Sequence, residues 1–297
     1  MGILALFVLI TVTFFLTRMM PGSPFQNGGV SKQVVTALEE EYGLSEPVWM
    51  QYTTYLGNLL RGNLGISFQK PGVTVTDVIA RAWPITVSIA LPAILAAFFL
   101  GTLMGIWQAT SRRAVIRSGI FIGSIFGTAI PNFVIALVLM LVFGQYLKLF
   151  PIVGLGTAAH YVLPVVSLAL YPNAVVTRLM YNAFAEELTR EYVVMARAKG
   201  LTRERTALTH VLKNAWIPVL NYIGPTAAFM ITGSFVVENI FTIPGLGREF
   251  VLAISNRDYT MIMGLTIFMG MVVIVLNLLT DLLCAAVSPQ MQRNGKM

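Results

Sequence analysis

The chain has 297 residues, of which 56% are hydrophobic and 11% charged, and it carries a formal net charge of +7. A soluble domain of this size would hold about 25% charged residues, whereas this chain contains several uncharged apolar stretches that approach or exceed the ~20 residues needed to cross a bilayer as helix. That composition excludes a soluble globular domain; a membrane β-barrel would show weak alternation over ~10-residue segments instead. The fold class is an all-α polytopic membrane protein. The single cysteine, Cys284, rules out an internal disulfide and reads as a small packing residue.

Apolar runs predict six spans, at 2–20, 85–108, 117–146, 161–181, 216–237 and 259–286. Met1 leads directly into the first run. No basic stretch or small-residue cleavage site of a signal peptide appears cleanly, so Ile3 to Thr17 reads as part of a retained helix. The longest polar piece is 21–84. In it Ser31 is expected to cap a helix through Tyr42, with Val34, Val35, Leu38 and Tyr42 on one face and Gly43 as terminator. A second helix after Ser45 aligns Trp49, Tyr52, Leu56 and Leu59, and the capping-box pattern from Thr74 to Asp77 opens a third. These helices suit a lid, a rim or a seat for a partner. Prolines recur within or beside the spans, among them Pro92, Pro131, Pro164, Pro172, Pro218 and Pro225, which neighbouring helices in a membrane accommodate.

Near the end of the chain, Glu238 and Phe241–Gly247 form a turn-rich connection. Met261, Met263, Met269 and Met271 read as packing. Asp281 is the main acid within a span and is expected to pair with a loop arginine. His160 and His210 have no cysteine or second histidine at ligand spacing, so no metal site is predicted; His210 is expected to pack or hydrogen-bond locally.

Lysine and arginine set the orientation. The loops 109–116 and 182–215 and the C-terminal tail, with their boundary residues, hold 12 basic residues against four acidic ones; the opposite side holds eight against eight. Both termini are therefore expected in the cytoplasm. The basic balance reflects topology and anionic lipid rather than nucleic acid.

The segment from Glu191 to Lys213 is the most charged part of this cytoplasmic side. A basic helix ends at Lys199, where a cation suits a helix C-terminus, and Gly200 permits a left-handed turn. Thr202 caps a second helix, Glu204 sits in its first turn, and Leu208, Val211 and Leu212 form an apolar stripe. Spacing leaves two readings open: a docking unit for a partner, and an amphipathic connector lying on the bilayer.

Particular motifs favour the first. Ala196-Arg197-Ala198-Lys199-Gly200, followed by His210 through Pro218, resembles the coupling-loop signature of bacterial ABC-importer permeases of the oligopeptide/dipeptide/nickel family, close to A-R-A-K-G…H-x-L-[RK]-N-A-x-I-P. The general version of that loop carries Glu-Ala-Ala where this chain has Val194, Met195 and Ala196. Arg18 through Pro24 is similar to the R-x-x-P-G-D-P of the family's first permease subunit, with Ser23 replacing the acid. Tyr42-Gly43-Leu44 through Pro47, Gln51-Tyr52, Gly62 through Phe68, and Val237 through Gly247 follow the same subunit. Asp281 and Pro289 match its C-terminal pattern, although Cys284, Ser288 and Gln290 depart from it.

The resemblance implies a single permease domain over 1–297 with the type I ABC importer permease fold, in the cytoplasmic membrane of a bacterium or archaeon. It implies import of dipeptides or oligopeptides, with nickel, haem or glutathione as alternative cargo. Implied partners are a second homologous permease, two cytoplasmic ABC ATPases, an extracytoplasmic solute-binding protein that sets most of the specificity, and membrane lipid. No Gly-x-x-x-x-Gly-Lys-[Ser/Thr] phosphate loop occurs in the chain. The subunit is therefore expected to bind no cofactor and to be no enzyme, leaving ATP and magnesium to the ATPases. Coupling is expected at Ala196, Arg197, Ala198, Lys199, Gly200, Leu201 and Thr202, and binding-protein contact at Glu39, Glu40, Glu41, Phe241, Pro244 and Gly245. An integral membrane enzyme would need a nucleophile–base pair or carboxylate dyad, and none is evident; an ion-driven carrier would need several buried charges rather than one peripheral Asp281.

Single cysteines placed at Ser31 and beside Gly200, in a Cys284→Ser background, test the orientation. A membrane-impermeant maleimide is expected to reach the first in intact cells and the second only after permeabilisation. The reverse pattern would overturn the assignment.

Overall fold

Thr74 sets where the longest helix begins. The computed structural model describes residues 1–21, 24–25 and 32–287. In it the Thr74 hydroxyl accepts from the Asp77 backbone N–H at 3.1 Å, and the Asp77 carboxylate accepts from the Thr74 backbone N–H at 3.1 Å. This reciprocal cap opens α4 (Val75–Thr110), which runs 36 residues, about 54 Å at 1.5 Å per residue. The capping box and the span expected at 85–108 are thus one element. Pro84 and Pro92 lie inside it without ending it.

The remaining spans fall close to their expected positions. They are α1 (Gly2–Met19), α7 (Ala159–Glu187), α10 (Leu212–Thr232) and α13 (Tyr259–Val287). The third span, expected as one helix over 117–146, is broken. Its halves α5 (Ala114–Ala129) and α6 (Asn132–Leu139, continuing as π-helix over Met140–Tyr146) meet at 103°. Pro131 offers no N–H, and it forces Ile130 into extended backbone at φ −91°, ψ 125°. Among the described residues, five helices are long and apolar enough to cross a membrane, or six counting the bent pair as one.

α7 is the centre of the bundle, and α4 is its main neighbour. Ala93, Ala97, Gly101 and Gly105 recur every four residues along one face of α4, the small-residue spacing that lets helix backbones approach closely. A Cβ on Gly101 would lie 2.8 Å from Val176 Cβ and 2.9 Å from the Asn173 carbonyl; one on Gly105 would lie 2.6 Å from the Thr177 carbonyl. Contacts rise together along both helices, so α4 and α7 run parallel, and Glu187 lies at the same end as Thr110. Gly127 brings α5 against Ala174, and Gly224 brings α10 against Thr280 of α13. The main core joins α4, α7 and α10 around Ile89, Val176, Met180, Phe184 and Val219; a second joins Val75 and Val78 to Leu246, Met261 and Leu265.

Between α1 and α4 lie α2 (Lys32–Glu41) and α3 (Val48–Leu60). The expected cap at Ser31 lies outside the described residues. Gly43 does terminate α2, at φ 66°. On α3 the packing face is Tyr52 and Tyr55 rather than a face including Trp49, which is 64% exposed. Tyr52 bonds Thr11 of α1 at 2.7 Å and packs tilted against Phe14 with ring centroids 5.1 Å apart. Tyr55 also stacks near Phe14, with ring centroids 6.1 Å apart, so both tyrosines turn α3 toward α1.

Two short helices, α11 (Phe235–Ile240) and α12 (Leu246–Ser255), precede α13. Asp258 is buried just before α13, where its carboxylate accepts from Met261 N–H at 3.2 Å. The same carboxylate takes the Ser67 hydroxyl and the N–H of Phe68 at 3.1 Å and Gln69 at 3.3 Å. Asp281 is exposed and has no ion pair among the described residues, contrary to expectation; it sits on the outer face of α13 beside exposed Leu278 and Leu282. Cys284, Met261, Met263 and Met269 are buried, while Met271 is exposed.

Gly105→Leu is expected to force the α4–α7 contact apart, at about 1–3 kcal/mol for overpacking. Gly119→Leu is the control, because a Cβ there meets nothing within 4 Å. Thermal unfolding in detergent should separate the two, and equal melting temperatures would refute the close-packed contact.

Candidate coupling site

The segment joining α7 to α10 is built on a carboxylate. α7 ends at Glu187, and α8 (Glu191–Ala198) starts after a turn closed by Thr189 Oγ1 donating to the Glu186 carbonyl at 2.7 Å. Arg190 reaches back to Glu186 at 2.6 Å and lies 3.8 Å from Glu187. The Tyr192 hydroxyl donates to Glu187 Oε2, and Asn214 Nδ2 donates to the same oxygen at 3.2 Å. Glu187 thereby joins the end of α7, the start of α8 and the start of α10. Partial burial, and then the Glu187 carboxylate, push the Tyr192 hydroxyl up to about 12, so it stays protonated and donating at physiological pH.

α8 lies with one face inward. Val193 and Ala196 are buried, Val193 within the main core, while Val194 is 64% and Met195 60% exposed. After Lys199, Gly200 turns at φ 86°, donating to the Arg197 carbonyl at 2.9 Å, and Leu201 donates to Ala196 at 3.3 Å. This is the Schellman geometry that glycine permits. Thr202 caps α9 (Arg203–Thr206), its hydroxyl accepting from Arg205 N–H at 3.3 Å.

α9 passes through a π-helical stretch, Ala207–Val211, straight into α10. The expected stripe of Leu208, Val211 and Leu212 is therefore split. The wider turn leaves Leu208 exposed while Val211 is buried. His210 is exposed rather than packed. Of the residues expected to couple, Arg197, Ala198, Lys199, Gly200 and Thr202 are exposed, Leu201 is half-buried, and Ala196 faces inward as support.

At the opposite end of the bundle the loop before α13 is also pinned by a carboxylate. Glu238, 2% exposed, accepts from Thr86 Oγ1 of α4 at 2.9 Å and from Arg248 N–H at 3.0 Å. Thr86 Oγ1 in turn accepts from Leu246 N–H at 2.8 Å. The loop closes tightly over this network, which buries Phe241 and Gly245 and leaves Pro244 exposed. Of the residues expected to meet a binding protein, Phe241 and Gly245 are thus inaccessible in this conformation. Glu40 and Glu41 are exposed and Glu39 is half-buried.

Residues 97–293 match the family described as "Binding-protein-dependent transport system inner membrane component". The chain belongs to this family. It is 38% identical over 295 residues to the dipeptide transport system permease protein DppB of Lactococcus lactis subsp. cremoris, covering 98% of this chain and 96% of that one. It is also 38% identical over 290 residues to the oligopeptide transport system permease protein OppB of Haemophilus influenzae, covering 97% and 95%. Among solved structures it is similar to the MetNI methionine ABC transporter in an inward-facing conformation, with a TM-score of 0.55 at 15% identity over 71% of this chain and 96% of that one. That likeness establishes the ABC importer permease fold. As an inner-membrane component of this family, the protein is a multi-pass permease of the cytoplasmic membrane.

Glu187, Tyr192 and Asn214 escaped the motif reading. Asn214 lies within the stretch from His210 to Pro218 that carries the family resemblance, whereas the joining of three helices on Glu187 depends on the tertiary fold. A double-mutant cycle of Glu187→Gln and Tyr192→Phe in thermal unfolding is expected to give a coupling of about 0.5–3 kcal/mol. Strict additivity would dissolve the proposed joint.

Proposed function

We propose that this permease subunit imports dipeptides or oligopeptides by coupling α8 to ATPases carried on separate chains. The observation that carries the coupling is the exposed apolar pair Val194–Met195, raised on a helix whose root is held by Glu187. Exposed apolar side chains on a short helix that also carries exposed Arg197 and ends at exposed Lys199 suit an anchor that a partner's groove would cover. Near-full-length likeness to DppB and OppB permeases supports the peptide cargo.

The lysine and arginine excess at the α8 end supports a cytoplasmic placement of this loop and of both termini. The chain lacks a phosphate loop, so ATP and magnesium belong to two ATPase subunits, one beneath this chain and one beneath a second, homologous permease. An extracytoplasmic binding protein would sit at the opposite end, on Glu40, Glu41 and Pro244, with Phe241 and Gly245 shaping the loop from below. When the ATPases close, α8 moves. Glu187 passes the displacement to α7 and α10 together, and the helices rock between outward and inward access.

Gly200→Val tests the lever. No atom lies within 4 Å of a Cβ placed there, so the strain is confined to a φ of 86°, a backbone conformation costing about 1–3 kcal/mol for a side chain so branched. In proteoliposomes with the partner subunits, assembly is expected to survive while dipeptide uptake per ATP hydrolysed falls about tenfold. Normal coupling in a well-assembled variant would remove α8 from the mechanism.

A further inference from the structure

Two spans are broken, and a third carries a mid-helix proline, around one hollow. α5 stops at Ala129 and α6 starts at Asn132, midway along 114–146. Pro172 falls near the middle of α7. α10 contains Pro225 and stops at Thr232, where Gly233 takes φ 131°. Each proline removes an N–H from the helical ladder, so the carbonyls of Leu168 and Asn221 lose their usual donors. The ends at Ala129 and Thr232 free further carbonyls. Interrupted backbone at membrane depth is tolerated where it is buried in protein or lines a water-filled cavity.

Here it lines one. Two adjoining cavities, of about 470 and 450 Å³, share Asn132, Tyr171, Phe229, Gly233 and Ser234, and Tyr222 joins the second. Each lies within the ~300–1,000 Å³ of small-ligand sites. Asn132 Oδ1 is buried and has no partner among the described residues. No lysine, arginine, aspartate or glutamate lines either cavity. A path for ions would concentrate charge. This hollow instead offers amide, phenol and hydroxyl groups between aromatic walls, a chemistry matched to the N–H and C=O groups that every peptide repeats.

We propose that the hollow bounded by Asn132, Tyr171, Tyr222, Phe229 and Ser234 is a station on the translocation path that holds the main chain of the transported peptide through uncharged hydrogen bonds. The inference rests on the peptide-permease reading above. It explains how one pore passes peptides of differing side chains: the groups that recognise them here address only what they have in common.

The test uses the complete transporter in proteoliposomes, with a single thiol introduced by Ser234→Cys in the Cys284→Ser background. A charged, water-soluble thiosulfonate reagent is expected to react, and dipeptide uptake should then fall by about tenfold or more relative to the same variant unlabelled, a block worth about 1.4 kcal/mol. Hydrolysis stimulated by loaded binding protein should persist in the labelled complex, and turnover with excess dipeptide should slow the reaction. A thiol that never reacts, or that reacts without loss of uptake, overturns the site. Phe229→Cys repeats the measurement if Ser234→Cys fails to assemble, since Phe229 is exposed in both cavities. If the transporter without introduced cysteines takes up no peptide although its hydrolysis responds to binding protein, the peptide reading itself fails, and this inference with it.

Discussion

The contact between α4 and α7 governs the rest of the molecule. In a membrane, apolar side chains gain little by meeting one another instead of lipid, so helices associate by close packing and hydrogen bonding. Gly101 and Gly105 let the backbone of α4 touch the carbonyls of Asn173 and Thr177, and Val176 and Met180 fill the flanks. With that contact made, α7 is fixed along its length, and Gly127 and Gly224 bring α5 to α7 and α10 to α13. Glu187 then emerges at a defined height and angle, ready to hold the segment that follows.

Each end of the bundle uses a carboxylate to bind stretches far apart in the chain. Glu187 gathers Tyr192 and Asn214; Glu238 gathers Thr86 and Arg248; Asp258 gathers Ser67, Phe68 and Gln69. Charge-assisted hydrogen bonds of this kind are stronger than neutral ones, and a carboxylate with several acceptor sites can close several loops at once. These joints leave the loops little freedom of their own, so displacement applied at one loop is carried into the helices beneath it.

Much of this was legible from residue order, for identifiable reasons. Span positions followed from apolar run length, which a bilayer dictates almost directly. The Thr74–Asp77 cap and the Gly43 and Gly200 turns followed from local backbone chemistry. What could not be read depended on distant neighbours. Nothing local marks Asp258, whose partners Ser67, Phe68 and Gln69 lie some 190 residues away, and Glu238 reads as a connector residue until Thr86 reaches it. The expected face of α3 holds Trp49, Tyr52, Leu56 and Leu59; Tyr52 does meet Phe14, but Tyr55 joins it there while Trp49 is left exposed. The break at Pro131 was visible as a proline, but the 103° turn was not, since prolines at 84, 92 and 172 leave their helices continuous.

The π-helical stretch from Ala207 to Val211 sets an angular offset. Each residue of an α-helix advances about 100° around the axis, so one additional residue in a turn shifts the azimuth of everything before it by that amount relative to α10. Thr206 and Val211 consequently point inward together while Leu208 points out. The loop carrying α8 is thus phased about the axis of α10 by residue count, so a displacement of α8 of the kind proposed would reach α10 as a torque as well as a push.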